Sequence, residues 1–295
     1  MKNIEKQIQD SENLQFYFKN KITNEIADFA KSLDIRESSY EIAAPINGNS
    51  NAPFFNSKKT KLINGRADFY YAAKIESLGS VEVIDGDTEF PPTSLIKDLG
   101  NLIIIGGNAD FQGTKFLKTL KNLKTINGYA NFRNSQVENL GNLTTVVGDV
   151  EFYGSKVKYL GNLTTVIGNA FFNSSQVENL GNLTTIGGDA HFEDSQVTDL
   201  GNLTTIKGDA HFRDSQLTDL GNLSYIGGYI YANGNKLTEE KIRRHIKNIN
   251  EINIIRKGLY YISKGKVFIN RNDANYKHFF IRDLKFNDNG IITLR

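Results

Sequence analysis

Cysteine is absent from all 295 residues. That absence excludes a disulfide framework, thiolate zinc sites, iron–sulfur clusters and any cysteine-nucleophile enzyme. Long apolar runs are missing as well, since no window approaches the roughly 20 apolar residues a membrane helix requires. The opening segment, Met1 to Asp10, is polar and charged without an apolar core, so no Sec leader is expected. A cytoplasmic protein, or a component of a virion or other assembly, fits that start. What remains is ordinary globular composition, 39% hydrophobic and 23% charged, enough for one elongated domain or two small ones.

The formal net charge of +2 conceals an asymmetry. Residues 238–295 carry 13 Lys/Arg against 6 Asp/Glu, which leaves 22 against 27 for residues 1–237. An acidic body therefore bears a basic carboxyl segment.

A fixed period decides the architecture. Leu180 to Thr198 reads LGNLTTIGGDAHFEDSQVT, and Leu200 to Thr218 reads LGNLTTIKGDAHFRDSQLT, the same phrase shifted by 20 residues. Its phenylalanine recurs as Phe69, Phe90, Phe111, Phe132, Phe152, Phe172, Phe192 and Phe212, and Ala232 takes that place in a ninth, diverged copy. Two residues earlier stands a small or branched residue, from Ala67 through Val150 and Ala170 to Ile230. Positions i and i+2 share one face of a strand, so each unit is predicted to hold one short strand with two inward side chains. Further apolar columns follow, headed by Val137, Leu140, Leu143 and Val146 and repeating every 20 residues. One unit cannot bury so many apolar groups alone, but stacked coils can.

The polar columns have structural readings. Ser135, Ser155, Ser175, Ser195 and Ser215 stand where the chain leaves the strand, and Asn122 through Asn222 stand at a second corner. Side chains of this kind are expected to satisfy backbone groups that the coil buries. Gly128, Gly148, Gly168, Gly188, Gly208 and Gly228 precede the strand, where a tight bend or close coil packing favours a residue without Cβ. Because the glycine recurs in every coil, it is not read as a nucleotide loop, and no cofactor is expected.

The segment Gly228 to Leu237, GYIYANGNKL, resembles the leucine-rich repeat pattern LxLxxNxL, with Ile230, Ala232, Asn235 and Leu237 in its places. The period is similar to that of short bacterial leucine-rich repeats, and LTTIGGDAxF is also similar to the repeat of receptor L domains. The resemblance covers about residues 62–237 and implies a repeat solenoid with one short parallel β-strand per coil. Bacterial effector repeats of this length often precede a cysteine-dependent ubiquitin ligase domain, an activity that a chain without cysteine lacks. The organisation expected is a helical N-terminal cap and connector over 1–61, a nine-coil solenoid over 62–237, and a basic α+β module or cap over 238–295. Leu14 to Leu33 is predicted helical, Ala44 to Asn56 reads as the connector, and Thr238 caps a helix at about 238–250. Strands are predicted in Ile252 to Ile269 and Phe279 to Leu294, turning at Lys264-Gly265 and Asn289-Gly290.

Residues flanking the inward strand pair point outward. The central outward column runs Asp68, Glu89, Asp110, Asn131, Glu151, Phe171, His191, His211, Tyr231, acidic at one end and aromatic at the other. Aromatic side chains dominate interface energetics, so Tyr129, Tyr153, Phe171, Tyr229 and Tyr231, with His191 and His211, form the expected partner-binding face. A non-enzymatic protein-binding repeat protein is the first expectation. Its alternatives are a structural subunit of an assembly such as a phage particle, with self-association, or a delivered bacterial effector. A metal-dependent hydrolase would use His191 and His211 with Asp189 and Asp209 as ligands. Recent duplication of the DAHF phrase explains that pair more simply, and the corner serines stand away from the histidines. The basic segment, interleaved with aromatics such as Tyr260 and Phe268, carries no recognised nucleic-acid motif, and contact with nucleic acid through 238–295 is the lesser expectation.

Overall fold

In the computed structural model, the described residues are 24, 41–43, 60–69, 75–232, 236–237, 239–246, 254–256, 260–263, 266–269, 284–286 and 292–294. The expected N-terminal helix at Leu14 to Leu33, apart from Asn24, and the connector Ala44 to Asn56 and the helix cap Thr238 lie outside them.

The chain winds as a parallel β-solenoid. Strands Ala67–Asp68, Thr88–Glu89 and Ala109–Asp110, and so on through Ile230–Tyr231, pair in parallel with their successors in one sheet. The register is a whole-coil shift: Ala130 opposes Val150, Val150 opposes Ala170, and Ala170 opposes Ala190. This is the strand predicted from period 2. The structure adds a second two-residue strand in each coil, such as Thr145–Val146 and Thr165–Val166, which builds a separate parallel sheet of ten strands. From Ile104–Ile105 onward only the second residue of each such strand is buried, so no alternation announces it. Isolated bridges Thr119↔Asn139 and Asn139↔Tyr159 make a third line of pairing at the corner that follows. Each coil thus hydrogen-bonds its neighbours on three sides, and the backbone amides needing partners find them one coil away, as in Phe132 N–H to Glu151 O at 2.8 Å.

The columns read from the sequence meet inside. Phe69, Phe90, Phe111, Phe132, Phe152, Phe172, Phe192 and Phe212 are at most 1% exposed. Their rings stack from coil to coil with centroids 4.9 to 5.5 Å apart and planes within 19° of parallel. Strands in a sheet stand about 4.8 Å apart, so each ring sits over the next with a small offset, the arrangement that aromatic quadrupoles prefer. The valine, leucine and isoleucine columns complete one continuous core.

Two local constraints fix the coil's path. After Phe111 and each later phenylalanine of the column the chain turns through a left-handed residue, Gly113, Asn134, Gly154, Ser174, Asp194 or Asp214, with φ between 49° and 68°. Glycine, asparagine and aspartate tolerate that region best. The glycines before the strand serve close packing, as predicted: a Cβ at Gly148 would stand 2.6 Å from the carbonyl carbon of Gly128.

The serine column departs from expectation. Ser135, Ser155, Ser175, Ser195 and Ser215 are buried, yet their hydroxyls have no hydrogen-bond partner. Their backbone amides turn back to the phenylalanine carbonyls, as in Ser175 N–H to Phe172 O at 3.2 Å. The column therefore selects small volume at these five positions, whereas Thr114, in the equivalent place after Phe111, donates its hydroxyl to Phe111 O at 2.9 Å. Three of the corner asparagines do what was expected, Asn122, Asn182 and Asn222 donating to the carbonyls of Gly100, Gly161 and Gly201, while Asn162 donates to the side chain of Asn142.

At the carboxyl end the helix Glu239–His245 lays Ile242, with Ile246 just beyond it, against the core. Strand Ile254–Arg256 then pairs in parallel with Ile230–Tyr231, and Tyr260–Ser263 and Lys266–Ile269 continue the same sheet antiparallel. Leu284–Phe286 and Ile292–Leu294 form a separate antiparallel pair. The added strands cover the open edge that the last coil would present, and an uncovered edge is a template for aggregation. Among the described residues, no helix is long and apolar enough to cross a membrane.

Two stability outcomes follow from this packing. Phe152→Ala should lower unfolding free energy by about 3–5 kcal/mol in urea titrations, and a loss below about 1 kcal/mol would place the ring outside a packed stack. Ser175→Ala should be neutral or stabilising in the same titration, because removing an unpaired buried hydroxyl relieves a desolvation cost of about 1–3 kcal/mol. A clear loss would show that the hydroxyl holds a partner.

Candidate functional site

The outward face of the phenylalanine-side sheet has two halves. In the first, Asp68, Glu89, Asp110 and Glu151 project from successive strands, and the chain neutralises much of this charge itself. Arg66 Nη2 stands 2.6 Å from Glu89 Oε1, and Arg133 Nη1 stands 3.0 Å from Glu151 Oε1. The Tyr129 hydroxyl donates to Glu151 Oε2 at 2.8 Å. Burial and that bond to a carboxylate raise the Tyr129 pKa well above the ordinary tyrosine value. Arg133 also lies over the ring of Tyr153, 5.3 Å from its centroid. Asp110 has no cation against it, and burial raises its carboxyl pKa above the usual range.

The second half is aromatic. Phe171, His191, His211 and Tyr231 occupy one column in adjacent coils, and the in-register pairing His191↔His211 and His211↔Tyr231 sets their rings face to face. Centroid separations are 4.6, 4.3 and 4.4 Å, with planes within 15° of parallel. Tyr229 meets Tyr231 edge-on at 6.4 Å. The four stacked rings are half-buried, whereas Tyr153 is 45% exposed. Of the expected contact residues, the structure thus gathers Phe171, His191, His211, Tyr229 and Tyr231 into one patch and sets Tyr129 and Tyr153 apart with Arg133 and Glu151.

Glu193, in the outward column next to the central one, lies against the two imidazoles. Its Oε2 is 3.6 Å from His191 Nδ1 and its Oε1 is 3.4 Å from His211 Nδ1. Asn173 Nδ2 donates to Glu193 Oε2 at 2.9 Å. His191, Glu193 and His211 are the group of potential metal-ligating residues, among those described, whose donor atoms all fall within 4.8 Å of one another. Period 2 puts Glu193 on the outward side with His191, but the strand itself is only Ala190–His191, and the reach of the Glu193 carboxylate to His211 in the next coil is not written in the period.

Asp189 and Asp209, the carboxylates expected beside the histidines, are engaged elsewhere. Asp189 Oδ1 accepts the backbone N–H of Asp209 at 2.7 Å, and Asp209 Oδ1 accepts that of Tyr229 at 2.7 Å. The same bond runs from Asp149 to Asn169 and from Asn169 to Asp189. This column is a ladder of side-chain acceptors that staples each coil to the next. Aspartate and asparagine in one column, coil after coil, were its signal in the sequence.

Burial depresses the His211 pKa below its ordinary 6.5, with the neighbouring His191 acting in the same direction. Burial alone would raise the Glu193 carboxyl, but its contact with His191 and the charge of both imidazoles outweigh that and hold it below the usual range. Near neutral pH the arrangement is therefore an ionised carboxylate facing an imidazole that favours its neutral form.

No protein-family model, curated protein or solved structure matches this chain.

A depressed histidine pKa means that the unfolded chain takes up the proton first, so His211 costs stability as pH falls through 6.5 toward its lower folded value. Its contribution is level above that window. Glu193 loses its stabilisation only lower, as pH falls below the ordinary carboxylate value, and the raised Asp209 carboxyl, desolvated by burial, acts there with opposite sign. Urea midpoints should fall from pH 7.5 to 5.5 less steeply in His211→Gln than in the parent. Parallel slopes would mean that His211 titrates as it does in an unfolded chain.

Proposed function

We propose that this chain is a non-enzymatic repeat protein that binds a protein partner through the outward face of its phenylalanine-side sheet. One observation carries the reading: the column Phe171, His191, His211, Tyr231 forms a continuous ladder of stacked rings on the surface, flanked by Tyr229. The acidic half of the same face meets its own arginines, so the aromatic half is where desolvation by a partner gains most. Large aromatic groups clustered on an outward face are a liability for a protein that contacts nothing, and rigid rings lose little side-chain entropy when a partner covers them. Regular coils position these residues without taking part in recognition, which leaves the outward columns free to vary.

The finer kinship we assign is to the short bacterial leucine-rich repeats, on the leucine, asparagine and period of the motif. Its second parallel sheet is where the coil departs from a one-strand repeat. The module over 238–295 is read as a cap that also carries the basic charge.

Affinity capture from a lysate with the full chain, set beside a Phe171→Ser/Tyr231→Ser variant, tests this. The expected result is a protein retained by the parent and lost by the variant, with circular dichroism spectra that coincide. Retention that survives the double substitution, or capture by neither chain, would remove the face from the account.

A further inference from the structure

We propose that His191, Glu193 and His211 bind a single divalent transition-metal ion of the zinc type. The three donors come from two adjacent coils, and the coil register places them together. His191 and His211 oppose each other directly in the sheet, and Glu193 follows His191 by two residues on the same outward side.

The distances fit a metal better than they fit hydrogen bonds. Glu193 oxygens lie 3.6 and 3.4 Å from the two Nδ1 atoms, beyond the 2.7–3.2 Å range of an N–H···O bond. Two ligands on a tetrahedral ion with bonds of about 2.0–2.1 Å stand about 3.3 Å apart. The Glu193 Oε1–His211 Nδ1 pair stands near that separation, and one donor atom from each of the three residues lies within 4.8 Å of the others, so an ion held by all three draws them together by side-chain rotation, the stacked rings tilting toward it. A supporting contact is also in place: Asn173 Nδ2 holds Glu193 Oε2 at 2.9 Å, which orients the carboxylate and leaves Oε1 toward the ion, as outer-shell partners do in metal sites.

Donor chemistry sets the class of ion. Two imidazoles and one carboxylate suit zinc, nickel or cobalt, whereas magnesium and calcium favour all-oxygen sets. Three protein donors leave a coordination position for water or for a side chain of a partner seated on the aromatic ladder. The ion would also tie the coil bearing His191 to the next, bearing His211, from outside the core. This site stands whether or not a protein partner binds the face.

The test is isothermal titration of zinc into the tag-free full chain, with cobalt absorption as an independent readout. The expected result is one saturable site, visible cobalt bands from nitrogen and oxygen ligands, and an upward shift in melting temperature with zinc. Glu193→Gln and His211→Gln should each weaken zinc by at least roughly tenfold, while Glu151→Gln, on the same face, should leave it unchanged. Glu193→Gln removes a partly exposed carboxylate, so it tests the site even if His211→Gln fails to fold. No saturable zinc binding, or binding that survives Glu193→Gln at parental affinity, would overturn the site and leave the three residues as an electrostatic contact between a carboxylate and two imidazoles.

Discussion

Everything in this molecule depends on one contact made again and again: a coil laid on the next in register, 20 or 21 residues along the chain. The strand spacing that this register imposes is also the spacing at which flat side chains stack. Phenylalanine inside and the ring column outside consequently form ladders for the same reason. Backbone hydrogen bonds run along the solenoid axis in both directions: phenylalanine-side amides donate to the following coil, as Phe132 N–H does to Glu151 O, and amides of the second sheet donate to the preceding one, as Val147 N–H does to Ile126 O. Stability in such a chain is a nearest-neighbour quantity, and no coil holds its shape alone.

The register also decides what polar residues do. A side chain repeated in one column meets its own kind or the backbone one coil on. Asp149, Asn169, Asp189 and Asp209 answer backbone amides in that way, and Thr164, Thr184 and Thr204 answer carbonyls of the preceding coil. The buried serines answer nothing, which identifies their column as a volume constraint. Repetition by itself therefore does not separate polar residues that bond from those that merely fit.

Reading the sequence recovered the core because inward columns are chemically uniform: Phe, Ala, Leu and Ile recur at a fixed period, and all prove buried. The second sheet was not legible, since the pair Thr145–Val146 shows one inward side chain and no alternation. The Asp/Asn ladder looked like variable surface because its chemistry is shared by two residue types and its role lies in the next coil's backbone. Glu193 escaped for a related reason: it belongs to a neighbouring outward column, and its carboxylate reaches across to imidazoles of two coils. Side-chain reach across columns is three-dimensional information that a period does not contain.

The central claim is that inward phenylalanines are locked by coil-on-coil register. Residue-resolved amide hydrogen exchange on the full chain tests it most directly. The account predicts slowest exchange at the Phe132, Phe152, Phe172 and Phe192 amides, which donate to the following coil, with protection fading toward both ends of the solenoid. Exchange at those four amides as fast as at exposed loop positions would contradict it.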